Sequence, residues 1–372
     1  MRPGALVAAL ALTVLSVGAS APARAQWAFE PGGRFGPQFH SYTIAAPSNT
    51  KITELAVPIY AFVPITQALS MDFGAAYADA HVEQTTSGQT VKSNVSGLTD
   101  SQVRANYVLG TDFIVLTAGI NLPTGHAAVT QSQQLAAGLI GSDFLAFPIS
   151  NMGTGFGGTG GVAIARPLGD WNAGFAVSMR RSSSYAPFDD AGVRDLRYQP
   201  GDEYRARVGV DRAVGTGRMT LGVTYSRFGN DDLAGSIYNT GDRYLTTFSL
   251  DNTVGAGHLA LTGWNLFRAA GTLADSVLLA HEDIANGAIA YGVNAGGLVI
   301  EPSVEARSWI QASAPASLLG TVGLRTEIGA GTMSIVPSVA YSFGRLASQD
   351  VNGTFRQASM TGFHLMLAAR LR

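Results

Sequence analysis

The chain has 372 residues, no cysteine and a formal net charge of −2, and only 13% of its residues are charged. Without cysteine the chain can form neither a disulfide framework nor a thiolate metal site. The slight negative charge argues against nucleic acid as a partner, since a nucleic-acid-binding protein needs a basic face. The length is typical of about two soluble domains, but a single closed β-barrel uses it equally well.

The first 25 residues predict a secretory signal peptide. Arg2 gives a basic start, an apolar stretch follows from Ala5 to Val17, and Ala23-Arg24-Ala25 has the small-x-small pattern of a cleavage site. The apolar run is shorter than the roughly 20 residues of a membrane-spanning helix. We therefore expect a signal peptide at 1–25, an N-terminal segment at 26–36 that could form a small hatch, and a barrel at 37–372.

From about residue 35 onward, segments of about ten residues alternate between apolar and polar side chains. Val208 and Val210, for example, alternate with Arg205, Arg207 and Asp211. Because successive side chains of a strand point to opposite faces, each segment has one apolar and one polar face. The predicted strands lie near 37–46, 52–63, 68–84, 98–109, 112–122, 156–166, 171–184, 202–213, 218–228, 243–254, 258–269, 287–295, 298–310, 317–328, 332–344 and 356–371.

Tight turns and longer polar segments alternate between these strands. Examples are the tight turn at 215–217 and the longer segments at 85–97, 125–155 and 271–286. Short periplasmic turns and long extracellular loops are typical of an outer-membrane barrel. The sequence therefore predicts an all-β fold, a transmembrane up-and-down antiparallel barrel of about 14–16 strands.

A soluble secreted β-sandwich is the competing interpretation of the same alternation. The predicted strands are longer than the five or six residues typical of soluble strands, and aromatic residues such as Trp171, Tyr244 and Phe363 lie near strand ends. Both observations favour the membrane barrel. We expect an integral protein of the cell outer membrane, with outer-membrane lipid, the barrel-assembly machinery and a small-molecule solute as partners; the oligomeric state stays open.

If the apolar face meets lipid, the charged face lines the lumen, because an arginine in the middle of the lipid face costs roughly 2–4 kcal/mol. These charges could let small polar solutes pass, or they could pair with one another and fill a narrow lumen. The lumen-lining candidates are Arg104, Arg180, Glu203, Arg205, Arg207, Asp211, Arg243, Asp251, Glu301, Glu305, Arg307, Arg325, Glu327 and Arg370.

The long segment between Leu122 and Gly161 is the part that resembles a barrel least. Residues 131–140 could form a short helix, and Phe144 and Phe147 form an apolar pair beyond it. The pair could cap the barrel mouth or fold inward as a constriction, and a large apolar group on an outer loop needs a reason. Contact with a ligand and simple loop packing both remain open for these two residues.

The sequence lacks the patterns of a catalytic or metal site. Its six histidines are scattered without the spacing of a metal site. The letters of Gly153, Gly155 and Gly158 match a dinucleotide fingerprint, but they open a strand instead of a helix. We therefore expect no enzyme, no cofactor and no metal.

Two stretches carry a family resemblance. Residues 96–107, which include Ser96-Gly97-Leu98-Thr99-Asp100, and residues 116–125, which end in Leu122-Pro123-Thr124-Gly125, form one predicted hairpin. This hairpin resembles one found in barrels related to the long-chain fatty-acid transporters and the phenol-degradation-pathway barrels. The resemblance implies passive uptake of small hydrophobic or aromatic molecules. The N-terminal segment is shorter than a fatty-acid transporter's hatch, and the last residue is Arg372 where such barrels usually end in an aromatic residue.

Three functions follow as hypotheses. The first is an outer-membrane channel for passive uptake of small, hydrophobic or aromatic molecules, which the resemblance and Phe144–Phe147 favour. The second is a general diffusion porin, which the charged lumen favours. The third is a closed barrel with a structural role or a surface-interaction role through its loops.

Overall fold

The computed structural model describes residues 32–45, 48–110, 113–273, 277–312, 314–349 and 354–371. The expected signal peptide and residues 26–31 lie outside these ranges. Within them, no helix has both the length and the apolar character needed to span a membrane.

Sixteen antiparallel strands form one closed barrel, in which each strand pairs with the next along the chain. The first strand pairs with the last, for example Phe39 with Leu365, so the sheet has no free edge. The strands are β1 (Gly32–Phe35 and Gln38–Ile44), β2 (Asn49–Pro64), β3 (Leu69–Thr86), β4 (Gln89–Leu98 and Ser101–Leu109), β5 (Ile114–Leu122), β6 (Gly157–Leu168), β7 (Trp171–Ser182), β8 (Glu203–Val214), β9 (Gly217–Phe228), β10 (Arg243–Val254), β11 (Gly257–Arg268), β12 (Glu282–Ala295), β13 (Leu298–Gln311), β14 (Ser317–Ala330), β15 (Met333–Gln349) and β16 (Phe355–Leu371). The predicted fold class is confirmed.

The barrel wall begins earlier than the sequence predicts. Gly33 pairs with Leu371 of β16 and with Ala61 of β2, so Gly32–Phe35 belongs to the wall and not to an N-terminal hatch. β1 is interrupted at Gly36, where a Cβ would lie 2.0 Å from the carbonyl oxygen of Leu367. Pro37 follows and has no N–H to donate to a neighbouring strand. The predicted boundary at residue 36 is therefore wrong.

The β3–β4 hairpin also extends further than predicted. Residues 85–97 were expected to form a loop, but β3 continues to Thr86 and β4 begins at Gln89. The turn between them places Ser87 and Gly88 at φ 52° and 82°, as in a two-residue hairpin turn. The sequence hides this extension because its outward positions are polar: Glu83 and Lys92 pair there, at a distance of 2.8 Å between Oε1 and Nζ.

β12 likewise begins at Glu282, before the predicted start at residue 287, and β15 continues to Gln349. Part of the expected loop at 271–286 is a short hairpin of Gly271–Leu273 and Val277–Leu279. Another loop sheet combines Tyr198–Gln199, Asp231–Leu233 and Ser236–Tyr238.

The outward positions of the strands form an apolar belt. Large apolar side chains are exposed on every side of the barrel, as Leu221 on β9, Val304 on β13 and Leu365 on β16 are. Transfer of such a side chain from water to an apolar phase is worth roughly 1.5–3 kcal/mol. The belt therefore identifies a transmembrane barrel, in which backbone groups pair between neighbouring strands.

A row of aromatic rings borders this belt at the loop end. Tyr225, Tyr244 and Phe267 lie at paired positions of β9, β10 and β11, with ring centroids 5.0 Å and 6.2 Å apart. The hydroxyl of Tyr225 donates a 2.6 Å hydrogen bond to Asp242. A ring that is apolar with a polar tip suits the boundary between lipid and water, so this row marks the outer membrane interface.

Candidate functional site: the lumen and its inner loop

The segment at 123–156, here called the inner loop, lies inside the barrel. It contacts strands far apart around the wall: Tyr42 of β1, Glu54 of β2, Ser93 of β4 and Arg307 of β13 all hydrogen-bond to it. One segment can reach all of these strands only from within the barrel. Of the two positions left open by the sequence, the structure therefore shows the inward one.

The middle of the inner loop is held by an aromatic stack and a guanidinium. The ring of Phe144 stacks on Trp309 with centroids 5.7 Å apart. Its carbonyl oxygen accepts a 2.7 Å hydrogen bond from Nη1 of Arg307, whose guanidinium also lies over the Trp264 ring. Phe144 is 1% exposed, so it packs against β11 and β13 as a core residue.

The following residues pack against β1 and β16. The Tyr42 hydroxyl donates a 3.0 Å hydrogen bond to the carbonyl of Leu145, and the Tyr42 ring meets Phe147 edge-on at 5.5 Å. Phe147 also contacts the His40 ring, whose Nδ1 lies 2.9 Å from Nδ1 of His364. Phe147 is 6% exposed. This contact ties the loop to the seam where the barrel closes.

A short helix, α1 (Gln134–Ile140), lies against β2, β3 and β4. Its N-cap residue, Gln133, makes no side-chain capping bond. Ser93 of the wall supplies one instead: its Oγ accepts a 3.1 Å hydrogen bond from the N–H of Ala136 and donates a 2.6 Å bond to the carbonyl of Ser132. Ala136 and Ile140 are buried against the wall, while Gln134 and Gly138 are exposed on the other face.

The two ends of the inner loop meet at Asp100, in the interruption of β4. Its Oδ1 accepts a hydrogen bond from the N–H of Gly125 at 3.0 Å, and its Oδ2 accepts one from the N–H of Thr154 at 2.6 Å. A Cβ on Gly125 would lie 2.0 Å from the carbonyl oxygen of Met152, so the close approach requires glycine. The residues that carry the family resemblance thus form the base of the inner loop.

The two apolar candidates of the loop, Phe144 and Phe147, are both buried between the loop and the wall. Neither ring faces free space, so the packing alternative describes them and a direct contact with a solute does not. What narrows the lumen at this level is the loop itself, with the exposed residues of α1 and the exposed side chain of Asp143.

All fourteen lumen-lining candidates lie at strand positions that alternate with exposed apolar residues of the same strand. Arg205 and Arg207, for instance, alternate along β8 with the exposed residues Tyr204 and Val208. The candidates on this face are Arg104, Arg180, Glu203, Arg205, Arg207, Asp211, Arg243, Asp251, Glu301, Glu305, Arg307, Arg325, Glu327 and Arg370.

Near the turn end of the barrel, the acidic candidates contact arginine, asparagine or histidine side chains. Asp211 accepts hydrogen bonds from Arg218 and from Asn172, the latter at 2.8 Å. Asp251 lies 2.6 Å from Nε2 of His258. On β13 and β14, Arg325 bridges two carboxylates, Glu301 at 3.0 Å and Glu327 at 3.4 Å. These contacts agree with the expectation that some lumen charges pair.

Toward the loop end, arginines outnumber carboxylates on β7–β11. Glu203 pairs with Arg205 at 2.6 Å, and Arg268 pairs with Glu282 at 3.1 Å. Arg180 donates a 3.1 Å hydrogen bond to the hydroxyl of Thr154, and Arg243 lies over the Phe228 ring at 5.3 Å. The charge of the inner wall is therefore uneven between the two ends.

Sequence reasoning missed several inward groups. Glu54 is fully buried, and its Oε1 accepts a 3.0 Å hydrogen bond from the N–H of Ile149. It shares an alternating face with Ile52 and Ala56, so its position among apolar residues was visible in the sequence. Arg268 and Glu282 were missed because they lie at or beyond the ends of the predicted strands. Ser93 lies on a strand in the segment 85–97, which the sequence predicts as a loop.

Among the described residues no group of three or more histidine, aspartate or glutamate side chains could hold a metal ion. The polar groups of the inward face are mainly ion pairs and arginine side chains.

No family model matches the chain. No curated protein matches it in sequence either. Solved structures with a similar fold include OpdQ from Pseudomonas aeruginosa (9% identity, 92% of this chain and 98% of that chain, TM-score 0.45). They also include an anion-selective porin from Comamonas acidovorans (12% identity, 92% of this chain and 98% of that chain, TM-score 0.43). A third is an outer membrane channel from Pseudomonas putida F1 (12% identity, 91% of this chain and 95% of that chain, TM-score 0.39).

The chain is an integral outer-membrane β-barrel. Its own geometry is sufficient for this conclusion: the sheet closes on itself, the strand number is even, and the outward face carries an apolar belt with an aromatic border. These are the features of barrels that span an outer membrane.

Proposed function

We propose that the protein is a passive channel through which small polar solutes cross the outer membrane. The observation that carries this proposal is the asymmetric position of the inner loop. Its buried side chains and α1 pack against the wall of β1–β4 and against β11–β14 and β16. The polar inner wall of β7–β10 lies outside this packed cluster, which supports a polar passage beside the loop.

The burial of Phe144 and Phe147 bears on the choice between polar and hydrophobic solutes. The two rings were the residues that favoured hydrophobic uptake, and they are occupied by contacts with the wall. The remaining support for a hydrophobic solute is the family resemblance, whose residues build the base of the loop around Asp100. Charged side chains commonly line water-filled pores. The geometry therefore fits a general diffusion porin better than a channel for hydrophobic solutes.

Single-channel recording of the refolded protein in a planar bilayer tests the proposal. We expect stable current steps that scale with salt concentration, because a wet lumen with a fixed loop conducts ions continuously. A shortened variant that lacks residues 134–147 should give larger steps, since the segment that narrows the lumen is then absent. Folding and insertion are checked by β-sheet circular dichroism and by resistance to detergent unfolding.

Silence from protein that is demonstrably folded and inserted would contradict the proposal. Liposome uptake assays then separate the remaining hypotheses. Uptake of an aromatic compound without ion current would support hydrophobic transport, and no uptake would support the structural barrel.

A further inference from the structure

We infer that the outer half of the lumen prefers anions, and that the solutes which the channel passes best are small molecules with carboxylate or phosphate groups. This inference rests on the proposed channel function and names its substrate class. The structural basis is a set of five arginines on β7, β8, β10 and β11, here called the basic wall. The basic wall consists of Arg180, Arg205, Arg207, Arg243 and Arg268.

The strand register places these side chains next to each other. Arg205 pairs with Ser226, Ser226 pairs with Arg243, and Arg243 pairs directly with Arg268. Paired positions on neighbouring strands lie about 4.5–5.5 Å apart, and like charges directly opposite each other destabilise a sheet. A barrel that retains Arg243 and Arg268 in this arrangement concentrates positive charge at one level of its lumen.

Carboxylates compensate only part of this charge. Within the basic wall, Glu203 pairs with Arg205, and Glu282 pairs with Arg268. Among the described residues, no carboxylate forms an ion pair with Arg243, and its buried Nε has no hydrogen-bond acceptor. Arg243 contacts the Phe228 ring instead. Arg205 and Arg268 are thus matched by carboxylates and Arg243 is not, which leaves an excess of positive charge on this wall.

The wall beside the arginines is cleared of side chains. Gly174, Gly209 and Gly222 lie at paired inward positions of β7, β8 and β9. A Cβ on Gly222 would lie 3.2 Å from Nη2 of Arg207, so this guanidinium extends across the glycine. Glycine at position 222 therefore lets the Arg207 guanidinium lie close to the sheet. The arrangement places its charge at the inner wall beside the other arginines.

The opposite side offers little negative charge to cancel the basic wall. The exposed residues of α1, Gln134 and Gly138, are uncharged. Residues 130–149 contain one acidic side chain, that of Asp143, which is exposed. On the basic wall's own strands, Asp211 and Asp251 lie nearer the turn end, where they contact Arg218 and His258. A positive potential therefore persists in the outer half of the lumen.

Guanidinium groups favour one ligand chemistry. Their planar set of N–H donors matches the two oxygens of a carboxylate or the oxygens of a phosphate. Clefts lined by one sign of charge focus the field and raise the local concentration of the opposite ion, by about tenfold or more. We therefore expect the wild-type channel to pass chloride about tenfold better than potassium.

Reversal potentials in a potassium chloride gradient test the inference. The test variants are Arg243→Gln and Arg243→Glu, and Arg243→Lys serves as the variant that retains the charge. Arg212→Gln is the matched control: Arg212 lies at the turn end of the same sheet, over the Trp171 ring at 5.5 Å, on the outward face. We expect at least a twofold lower preference for anions with glutamine, a larger loss with glutamate, and values near wild type for lysine and for Arg212→Gln.

The same recordings separate this inference from the channel function on which it rests. A channel that conducts without preferring anions, or in which Arg243→Gln and Arg243→Glu change the selectivity no more than Arg212→Gln, would overturn the inference and leave the channel intact. The absence of current from inserted protein would instead remove the channel function. Replacing chloride with acetate and then with phosphate on one side shows which of the two anion classes passes better.

Discussion

The inner walls of β1–β4 and of β7–β10 share one strand geometry but differ in the size and charge of their side chains. On β2 and β3 the inward positions include Ala56, Ala78 and Ala80, all fully buried. At comparable inward positions β8 and β10 carry Arg205, Arg207 and Arg243. The inner loop packs on the first wall, while the second wall lies outside its apolar cluster.

This difference explains why the inner loop packs on one part of the inner wall and not on the other. Alanine leaves room for a helix to lie against the sheet, and the contacts bury apolar surface on both partners. An arginine in the same position would have to be desolvated under the helix, and an unpaired buried charge costs several kcal/mol. The side-chain pattern of the inner wall thus decides on which side the loop packs and on which side a passage remains.

Removing the aromatic anchor of the loop should have the largest effect. Phe144→Ala deletes a ring that is 1% exposed and stacked on Trp309, and such a truncation costs about 3–5 kcal/mol. We expect faster amide exchange in α1 and noisier single-channel current. Phe175→Ala is the control, because that ring faces lipid. Equal exchange rates in wild type and Phe144→Ala would contradict the anchoring role.

A large side chain at one of the inward alanines of β2 and β3 tests whether these small residues position the loop. Ala78→Trp places a large ring where the loop packs, and overpacking costs about 1–3 kcal/mol. We expect the loop to leave the wall, which a protease-protection assay on residues 134–147 would detect as new cleavage. Ala75→Trp, on the outward face of the same strand, should leave cleavage unchanged. If both variants are equally protected, the alanines do not determine the position of the loop.

A smaller effect is expected at the wall serine that caps α1. Ser93→Ala removes two hydrogen bonds, to the carbonyl of Ser132 and from the N–H of Ala136. A hydrogen bond of this kind contributes about 1 kcal/mol. Amide exchange should increase at the first turn of α1 and not in β7, and Ser178→Ala on that second wall is the control. Unchanged exchange at Ala136 would show that another group caps the helix.

The smallest effect concerns the extracellular loops above the second wall. Burial, followed by the charges of Tyr238 and Asp231, raises the pKa of Tyr185 from 10.0 to about 12. Because the folded pKa lies above the unfolded value, this tyrosine's contribution to stability is complete below pH 10 and is lost as the pH rises toward about 12. Tyrosinate absorbance in an alkaline titration should lose a late component in Tyr185→Phe but not in Tyr107→Phe. An identical late component in all three proteins would contradict the assignment.

The alternation of side chains determined the barrel class, most strand positions and the inward face of the charged residues. Alternation of side chains is a local property of each strand, and in a closed sheet one face of every strand points inward and the other outward. The two faces can therefore be assigned along the chain from the sequence. It failed at Glu83 and Lys92, where β3 and β4 rise above the belt and polar side chains occupy the outward positions. It failed at Gly32–Phe35 because pairing with β16 and β2 makes that segment a strand.

The sequence by itself determined that this protein crosses the outer membrane as a barrel with a charged interior and one long loop. Only the tertiary structure decided where the loop lies, that Phe144 and Phe147 are buried, and that Arg205, Arg243 and Arg268 lie at one level of the wall. The physical reason is distance along the chain. Phe144 and Arg307, or Asp100 and Thr154, meet only after the sheet has closed, and no local pattern specifies contacts between residues so far apart.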